Sequence, residues 1–385
     1  AGFAVAAADR FADADLAAAC GGSERVARIQ PSDAALVEWL RGSGADAWIY
    51  GGPLENRPEL VDALAAVKPL WGVAGEALRR VRCPERLAAA VRRAGWRFPE
   101  FTRSPAGLPT DGSWLLKRDR SGGGSGVQTW RGDTASLPGE PHTWQRRIGS
   151  ASCSALFVGD GQEAKLLAAT EQLTGCPWCG AAEFHYCGTI APLPLSPAQF
   201  GDLAFLGRKL AAQFQLRGLF GVDFVRDRDD WFVVEVNPRY TAAVEAWELA
   251  TGRSALTAHA AAFGARIPAT PARVNLAAAH SAHRDEAHAV VGKAIVFARE
   301  AVTIDAATAA TWMAASDWRY LNAEAATRLA DIPVAGAEIR AAGPVLSVLV
   351  RGATSQGVHT RLEQLVATVY NQLAECRRRS ALPAT

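Results

Sequence analysis

Between Gly218 and Arg239 the chain reads as two apolar arms, Leu219 to Val225 and Trp231 to Val236, joined by a charged turn from Asp227 to Asp230. This spacing makes a β-hairpin, and it carries acids at the ends of both arms. Asp223 sits on one arm, while Glu235 and Asn237 stand two apart on the other. Successive side chains of a strand alternate between faces, so Glu235 and Asn237 share one, and all three residues can point into one cleft. Two carboxylates and an amide are hard oxygen ligands, the type magnesium takes while keeping waters and bridging phosphates. Pro238 holds Asn237 extended and stops the strand. Arg239 then offers a planar fork to a phosphoryl or carboxylate group. Either acid alone reads as a solvated hairpin border; the acids with Asn237-Pro238-Arg239 in fixed order read as a site.

A second constellation lies about a hundred residues earlier. Trp114 to Lys117 is a short apolar strand ending in lysine, followed by Ser121, Gly122, Gly123, Gly124, Ser125 and Gly126, then a strand from Val127 to Trp130. Glycines let the backbone close over phosphates and present N–H groups to them, and the lysine supplies a point charge. No Gly-Lys-Ser/Thr and no helix follow, which excludes a Walker A loop and a dinucleotide fingerprint. Strand, glycine loop and strand form a hairpin lid.

Residues 1 to 80 alternate strands and helices: a strand at Phe3 to Ala7, a helix near Asp15 to Cys20, a helix from Pro31 to Arg41 capped by Ser32 or Asp33, a strand at Ala47 to Tyr50 and a helix after Pro58. Such βα repetition implies a parallel sheet. The chain opens on Ala1-Gly2-Phe3, and a preceding strand and turn are expected to be missing. A helix from Pro84 to Ala94 opens the next region. Strands follow at His142 to Ile148, Ser154 to Val158 and Lys165 to Thr170, then an amphipathic helix from Pro197 to Phe214 with Phe200, Leu203, Leu206 and Leu210 facing a core. From about Ala272 a smaller domain is expected, with strands at Gly292 to Phe297 and Val345 to Val350 and a helix at Thr360 to Cys376. The expected boundaries are 1–80, 81–268 with a lid at about 112–148, and 269–385.

At 385 residues the chain exceeds one core, which stops growing at roughly 250–300 residues. Lysine plus arginine (41) nearly balances aspartate plus glutamate (39), so no overall field favours nucleic acid or anionic membrane. The basic run Arg377-Arg378-Arg379 is expected to follow the last helix. No apolar run reaches the roughly 18 residues a membrane span needs, and the seven cysteines show no secretory pattern. A cytoplasmic, reduced setting is the expectation.

The segments Lys117 to Val127 and Gly221 to Thr241 resemble the ATP-grasp superfamily. The resemblance implies a mixed α/β and α+β fold: an N-terminal Rossmann-like domain, a lid subdomain, an antiparallel sheet gripping ATP, and a small C-terminal domain. It implies that Lys117 binds the α and β phosphates and that Ser121 to Gly126 cover the triphosphate. Asp223, Glu235 and Asn237 would hold two magnesium ions (manganese being an alternative), with Arg239 against the transferred phosphoryl or the substrate carboxylate. Adenine would be read by the hinge His142 to Ile148, through backbone groups of Gln145, Arg146, Arg147 and Ile148. The family places acids at this hinge, and this sequence does not. The second phosphate lysine has no clear match; Arg82 is the candidate in its place. The partners implied are a small carboxylate and an amine, with a homodimer possible.

Ala330 to Gly336 and Gly343 to Val348 resemble the trailing domain of the purine-pathway and biotin-dependent carboxylases, and Gly51 to Asn56 is similar to ATP-grasp proteins of pterin or furan one-carbon cofactor synthesis, some like tyramine-glutamate ligases. Amide ligation through an acyl phosphate is the leading reading, carboxylation through carboxyphosphate the alternative, and a nucleotide-binding protein without turnover the non-enzymatic one. Cys176-Pro177-Trp178-Cys179 admits a zinc, redox or plain loop-and-core reading, with Cys153, Cys187 and His185 nearby. His280 and His283 can share a helix face.

Overall fold

The computed structural model describes residues 2–29, 32–134, 139–149, 151–266, 289–316 and 327–380. At the N-terminus β1 (Ala7–Asp9) pairs in parallel with β2 (Val26–Arg28), with α1 (Ala14–Cys20) between them. The strand falls later than the Phe3 to Ala7 expected from sequence. Its alanines offer little side chain to bury, and Val5 stays 51% exposed. Ala47 to Tyr50 likewise forms no strand, contributing one parallel bridge from Trp48 to Leu70. Three helices hold to expectation: α2 (Asp33–Gly42) is capped by Ser32, whose hydroxyl accepts from the Ala35 N–H, and α3 (Pro58–Ala65) and α5 (Pro84–Arg93) follow, with α4 (Gly75–Val81), not expected from sequence, between them. Proline opens α3 and α5, where its missing N–H costs nothing.

The segment expected to form a lid folds as part of a separate four-stranded sheet of β3 (Phe101–Thr102), β4 (Trp114–Arg118), β5 (Val127–Thr129) and β6 (His142–Arg146), in the order β3-β6-β4-β5. Trp114, Leu116, Trp130 and Trp144 give it a core of its own.

The main sheet begins with β7 (Ala151–Asp160), β8 (Ala164–Thr174) and β9 (Tyr186–Leu193). After α6 (Pro197–Phe214) come the hairpin β10 (Arg217–Asp227) and β11 (Asp230–Asn237), then α7 (Ala242–Thr251) and α8 (Ala255–Ala262). The C-terminal region supplies β12 (Val290–Phe297), β13 (Val302–Thr303), β14 (Thr327–Ala330), β15 (Glu338–Ile339) and β16 (Pro344–Gly352). Eight strands lie in the order β11-β10-β7-β8-β9-β12-β16-β14, so the C-terminal strands continue the sheet that carries the acidic hairpin. The last helix, Ser355–Ser380, covers this half, with Val358 and Leu362 seated so close to Gly292 that a Cβ there would come 2.5 Å from Val358 Cγ1. Arg377 to Arg379 lie within that helix rather than after it.

On the other half α6 buries Leu203, Leu206, Leu210 and Phe214 against Phe157, Phe220, Val222 and Phe224. Phe200 does not join them. It is 49% exposed, because it sits in the first turn of α6, at the end away from the Leu203–Phe214 contact stripe. Since Phe220, Val222 and Phe224 face α6, the intervening Gly221 and Asp223 face the opposite side of the sheet. The stretch from Ala272 through position 288, with His280 and His283, lies outside the described residues.

Candidate active site

Asp223 and Glu235 are direct cross-strand partners, and Gly221 stands opposite Asn237 in the same register. Asn237 Nδ2 donates to Asp223 Oδ2 at 2.8 Å, and Gln172 Nε2, from β8, donates to Oδ1 at 3.0 Å. The three side chains read from sequence therefore meet, with Gln172 as a fourth that local pattern could not reveal. Burial, then the neighbouring charge of Glu235, push the Asp223 carboxyl up to about 6. Burial pushes Glu235 the same way, but Arg82 and then Lys117 outweigh it and hold that carboxyl below its usual range. Two carboxylates and an amide fit a hard divalent cation, whose charge would relieve the strain on Asp223. Among the described residues no three His, Cys, Asp or Glu side chains are grouped to hold a metal ion, so the set depends on the Asn237 amide.

The cations come from far along the chain. Arg82, just past α4, forms an ion pair with Glu235 and donates from Nη2 to Asn56 Oδ1 at 2.8 Å and to the Ser121 carbonyl at 3.1 Å. Arg239 pairs with Glu55 at 2.7 Å, and the Glu55 side chain is 0% exposed. Arg239 also donates to Asn237 Oδ1 at 3.3 Å and to the Tyr240 carbonyl at 3.0 Å. A Cβ on Gly52 would come 2.9 Å from this guanidinium, which is why the Gly51-Gly52 turn can approach it. The Nε of both arginines is buried without a hydrogen-bond partner among the described residues. Sequence reasoning gave Glu55 and Asn56 no role in the site, and they tie the N-terminal region to it.

Beside these groups runs a cleft of about 210 Å³. Phe98, Phe101, Leu115, Val127 and Val225 line it with apolar surface, and Arg82, Lys117, Ser121, Gly122, Gly124, Gln145 and Glu235 with polar groups. Lys117 Nζ donates to Gln145 Oε1 at 3.1 Å, and burial holds its ammonium below the usual lysine range. Arg146, Arg147 and Ile148 do not line this cleft. The Arg146 N–H is taken by the Glu100 carbonyl and the Arg147 N–H by the Ser113 carbonyl, each at 2.8 Å. Their side chains reach Glu100 at 3.7 Å and Glu183 at 3.3 Å. Of the expected adenine hinge His142 to Ile148, Thr143 and Gln145 line the cleft.

The glycine loop is docked on the start of β9: the Tyr186 N–H donates to the Gly123 carbonyl at 3.0 Å. Gly124 has φ +77°, and a Cβ there would lie 1.9 Å from the Phe184 carbonyl oxygen. Gly124→Ala is therefore expected to lift the loop off this seat. The measurable outcome is faster proteolysis within 119–127 and a rise of about tenfold or more in the KM for ATP, with the rest of the fold unchanged; unaltered loop protection would refute the docking role.

Cys179 and Cys187 are buried in the C-terminal core with Leu173 and Phe297, and none of the seven cysteines, all of them described, is joined in a disulfide. Among the described residues no three His, Cys, Asp or Glu side chains group here for zinc, and the loop-and-core reading accounts for these two. No helix among the described residues is long and apolar enough to cross a membrane.

A family model described as an ATP-grasp domain matches residues 85–243. No curated protein matches the chain in sequence. Among solved structures, a Rhizobium etli pyruvate carboxylase is similar at 19% identity and a TM-score of 0.62, over 86% of this chain and 31% of that one, so the chain spans under a third of that enzyme. The biotin carboxylase domain of the Hydrogenobacter thermophilus 2-oxoglutarate carboxylase, solved with MgADP, ADP and bicarbonate, is similar at 14% identity and TM-score 0.60, over 87% of this chain and 78% of that one. The N5-carboxyaminoimidazole ribonucleotide synthetase of Thermus thermophilus is similar at 18% identity and TM-score 0.59, over 98% of this chain and 92% of that one. Residues 85–243 are an ATP-grasp domain, and the chain around it is built on the ATP-grasp fold.

Proposed function

We propose that the chain is an ATP-dependent ligase that activates a carboxylate as an acyl phosphate and joins it to an amine. The observation that carries this reading is the direct contact between a part-buried acid set and two guanidinium groups at one end of the cleft. Asn237 bonds to Asp223, Glu235 pairs with Arg82, Arg239 donates to the Asn237 amide oxygen, and Arg82, Lys117 and Glu235 line the cleft beside them. Asp223, Glu235 and Asn237 would hold magnesium, as one or two ions, which would supply positive charge against the terminal phosphates. Lys117 and Arg82 meet phosphate oxygens from the lid side and from α4. Arg239, together with the Thr241 hydroxyl at the N-cap of α7, orients the acid's carboxylate for in-line attack on the γ-phosphorus. That hydroxyl is buried without a hydrogen-bond partner among the described residues. The docked glycine loop excludes water from the acyl phosphate until the amine displaces phosphate. Positioning and electrostatics suffice, so no strong base is needed.

The test is ADP release across a matrix of carboxylic acids and amines, followed by mass analysis of the product. Release that requires both an acid and an amine, with a product mass of their sum less water, supports the ligase. Release driven by bicarbonate alone supports the second reading, carboxylation through carboxyphosphate, which the bicarbonate complex of the Hydrogenobacter domain motivates.

A further inference from the structure

Beyond the phosphate end, a second polar cluster lies on the same side of the main sheet. Lys293 on β12 is buried, with 8% of its surface exposed, and its ammonium reaches Glu245 Oε2 at 2.7 Å and Asp331 Oδ2 at 3.4 Å. Ser347 donates to the same Asp331 carboxylate. Two carboxylates against one ammonium leave the cluster one negative charge in excess. Asp331 is its open edge, with a side chain 55% exposed.

Tyr186 opens β9, the strand that lies between β8, whose Gln172 donates to Asp223, and β12, which carries Lys293. Its hydroxyl is closed to solvent and has no hydrogen-bond partner among the described residues. Burial pushes the phenol up, with smaller contributions from Lys293, Asp223 and Glu245. An orphaned buried hydroxyl is costly, and the cost is recovered when a ligand supplies the missing partner. Glu245 is four residues from Thr241 on the one continuous run into α7, so the two side chains lie on one face about 6 Å apart. A carboxylate oriented at Thr241 and Arg239 is thereby one helical turn from anything held at Glu245.

We propose that Tyr186, Glu245 and Asp331, with Lys293 fixing the two carboxylates, form the acceptor subsite, and that it takes a cationic primary amine. This deepens the ligase reading and rests on it for the reaction. The cluster's surplus negative charge suits an ammonium and opposes bicarbonate. In the transfer, the ammonium first gives one proton to Asp331, which passes it to solvent. The amine lone pair then forms the C–N bond, the acyl C–O bond breaks, phosphate leaves with that electron pair and takes the second amine proton. Tyr186 also holds the glycine loop through its backbone N–H, which places the acceptor directly beneath the lid.

The experiment uses the full chain with Tyr186→Phe and Asp331→Asn, and n-butylamine, phenethylamine, putrescine and glycine as probes. Tyr186→Phe removes a hydroxyl that bonds to nothing among the described residues, so a structural role predicts unchanged or higher thermal stability and unchanged kinetics. The subsite predicts that the KM for the amine rises about tenfold or more in both variants, while the KM values for acid and ATP stay within about twofold. Without ATP, the wild type should gain thermal stability from the amine and the two variants should not. An amine response equal in wild type and both variants overturns the subsite, even where amide forms. Failure to form any acid-dependent acyl phosphate, trapped as a hydroxamate with uncharged hydroxylamine, instead overturns the ligase reading and leaves the thermal comparison to decide the subsite.

Discussion

Replacing Glu235 by alanine is expected to slow ATP turnover by at least ~100-fold, the scale of losing one preorganised electrostatic group. The expectation follows from its position opposite Asp223 and its pairing with Arg82. The substitution also strands Arg82, which among the described residues keeps the Asn56, Ser121 and Val236 oxygens. Breaking a buried pair costs about 3–5 kcal/mol. The Glu235 side chain is 32% exposed, so water takes up part of the deficit and the loss of stability should be smaller than that. Glu235→Gln separates the two effects. It keeps an acceptor for Arg82 and most of the stability, yet it lacks the charge that a divalent cation needs. Thermal melts and coupled ADP release should therefore diverge for glutamine and fall together for alanine. Retained turnover in the glutamine variant would remove Glu235 from the metal site.

The elements that carry this prediction were legible because their signal is local. The β10–β11 hairpin has apolar arms, a short charged turn and a proline stop, and its register brings Asp223, Glu235 and Asn237 together as the period of two requires. The lid strands and α6 were readable for the same reason. What was not readable depends on long-range partners. Glu55 meets Arg239, and Lys293 meets Glu245 and Asp331, across separations that no periodicity encodes. Nothing in the sequence around Tyr186–Leu193 set β9 apart from a cysteine-containing loop, and its strand character comes from lying between β8 and β12. The hinge shows a further limit. Arg146 and Arg147 occupy the expected place, but their backbone donors are spent within the lid sheet and its neighbours, a fact visible only once β3 is paired with β6.

Asp223→Asn should produce the opposite pairing of effects, a protein at least as stable as the wild type near pH 7.5 and nearly devoid of metal-dependent turnover. The sign follows from the carboxyl's folded value of about 6, raised from 3.8. Below pH ~4 the group is protonated whether the chain is folded or not, and it costs nothing. As pH rises through this window the unfolded chain ionises first, so stability falls, and above about pH 6 the full cost is present. Asparagine removes that cost. It also turns an amine toward one of the two donors, Gln172 or Asn237, so the net gain should be on the order of 1–2 kcal/mol. The advantage should vanish by pH ~4. Magnesium should raise the melting temperature of the wild type, as any ligand of the folded state does, and leave the variant unmoved. Equal stabilisation of both proteins by magnesium, or a variant that melts below the wild type at pH 7.5, would contradict the assignment. A carboxylate that weakens its own fold at neutral pH persists where function requires its charge, and here the charge is the one a bound cation would neutralise.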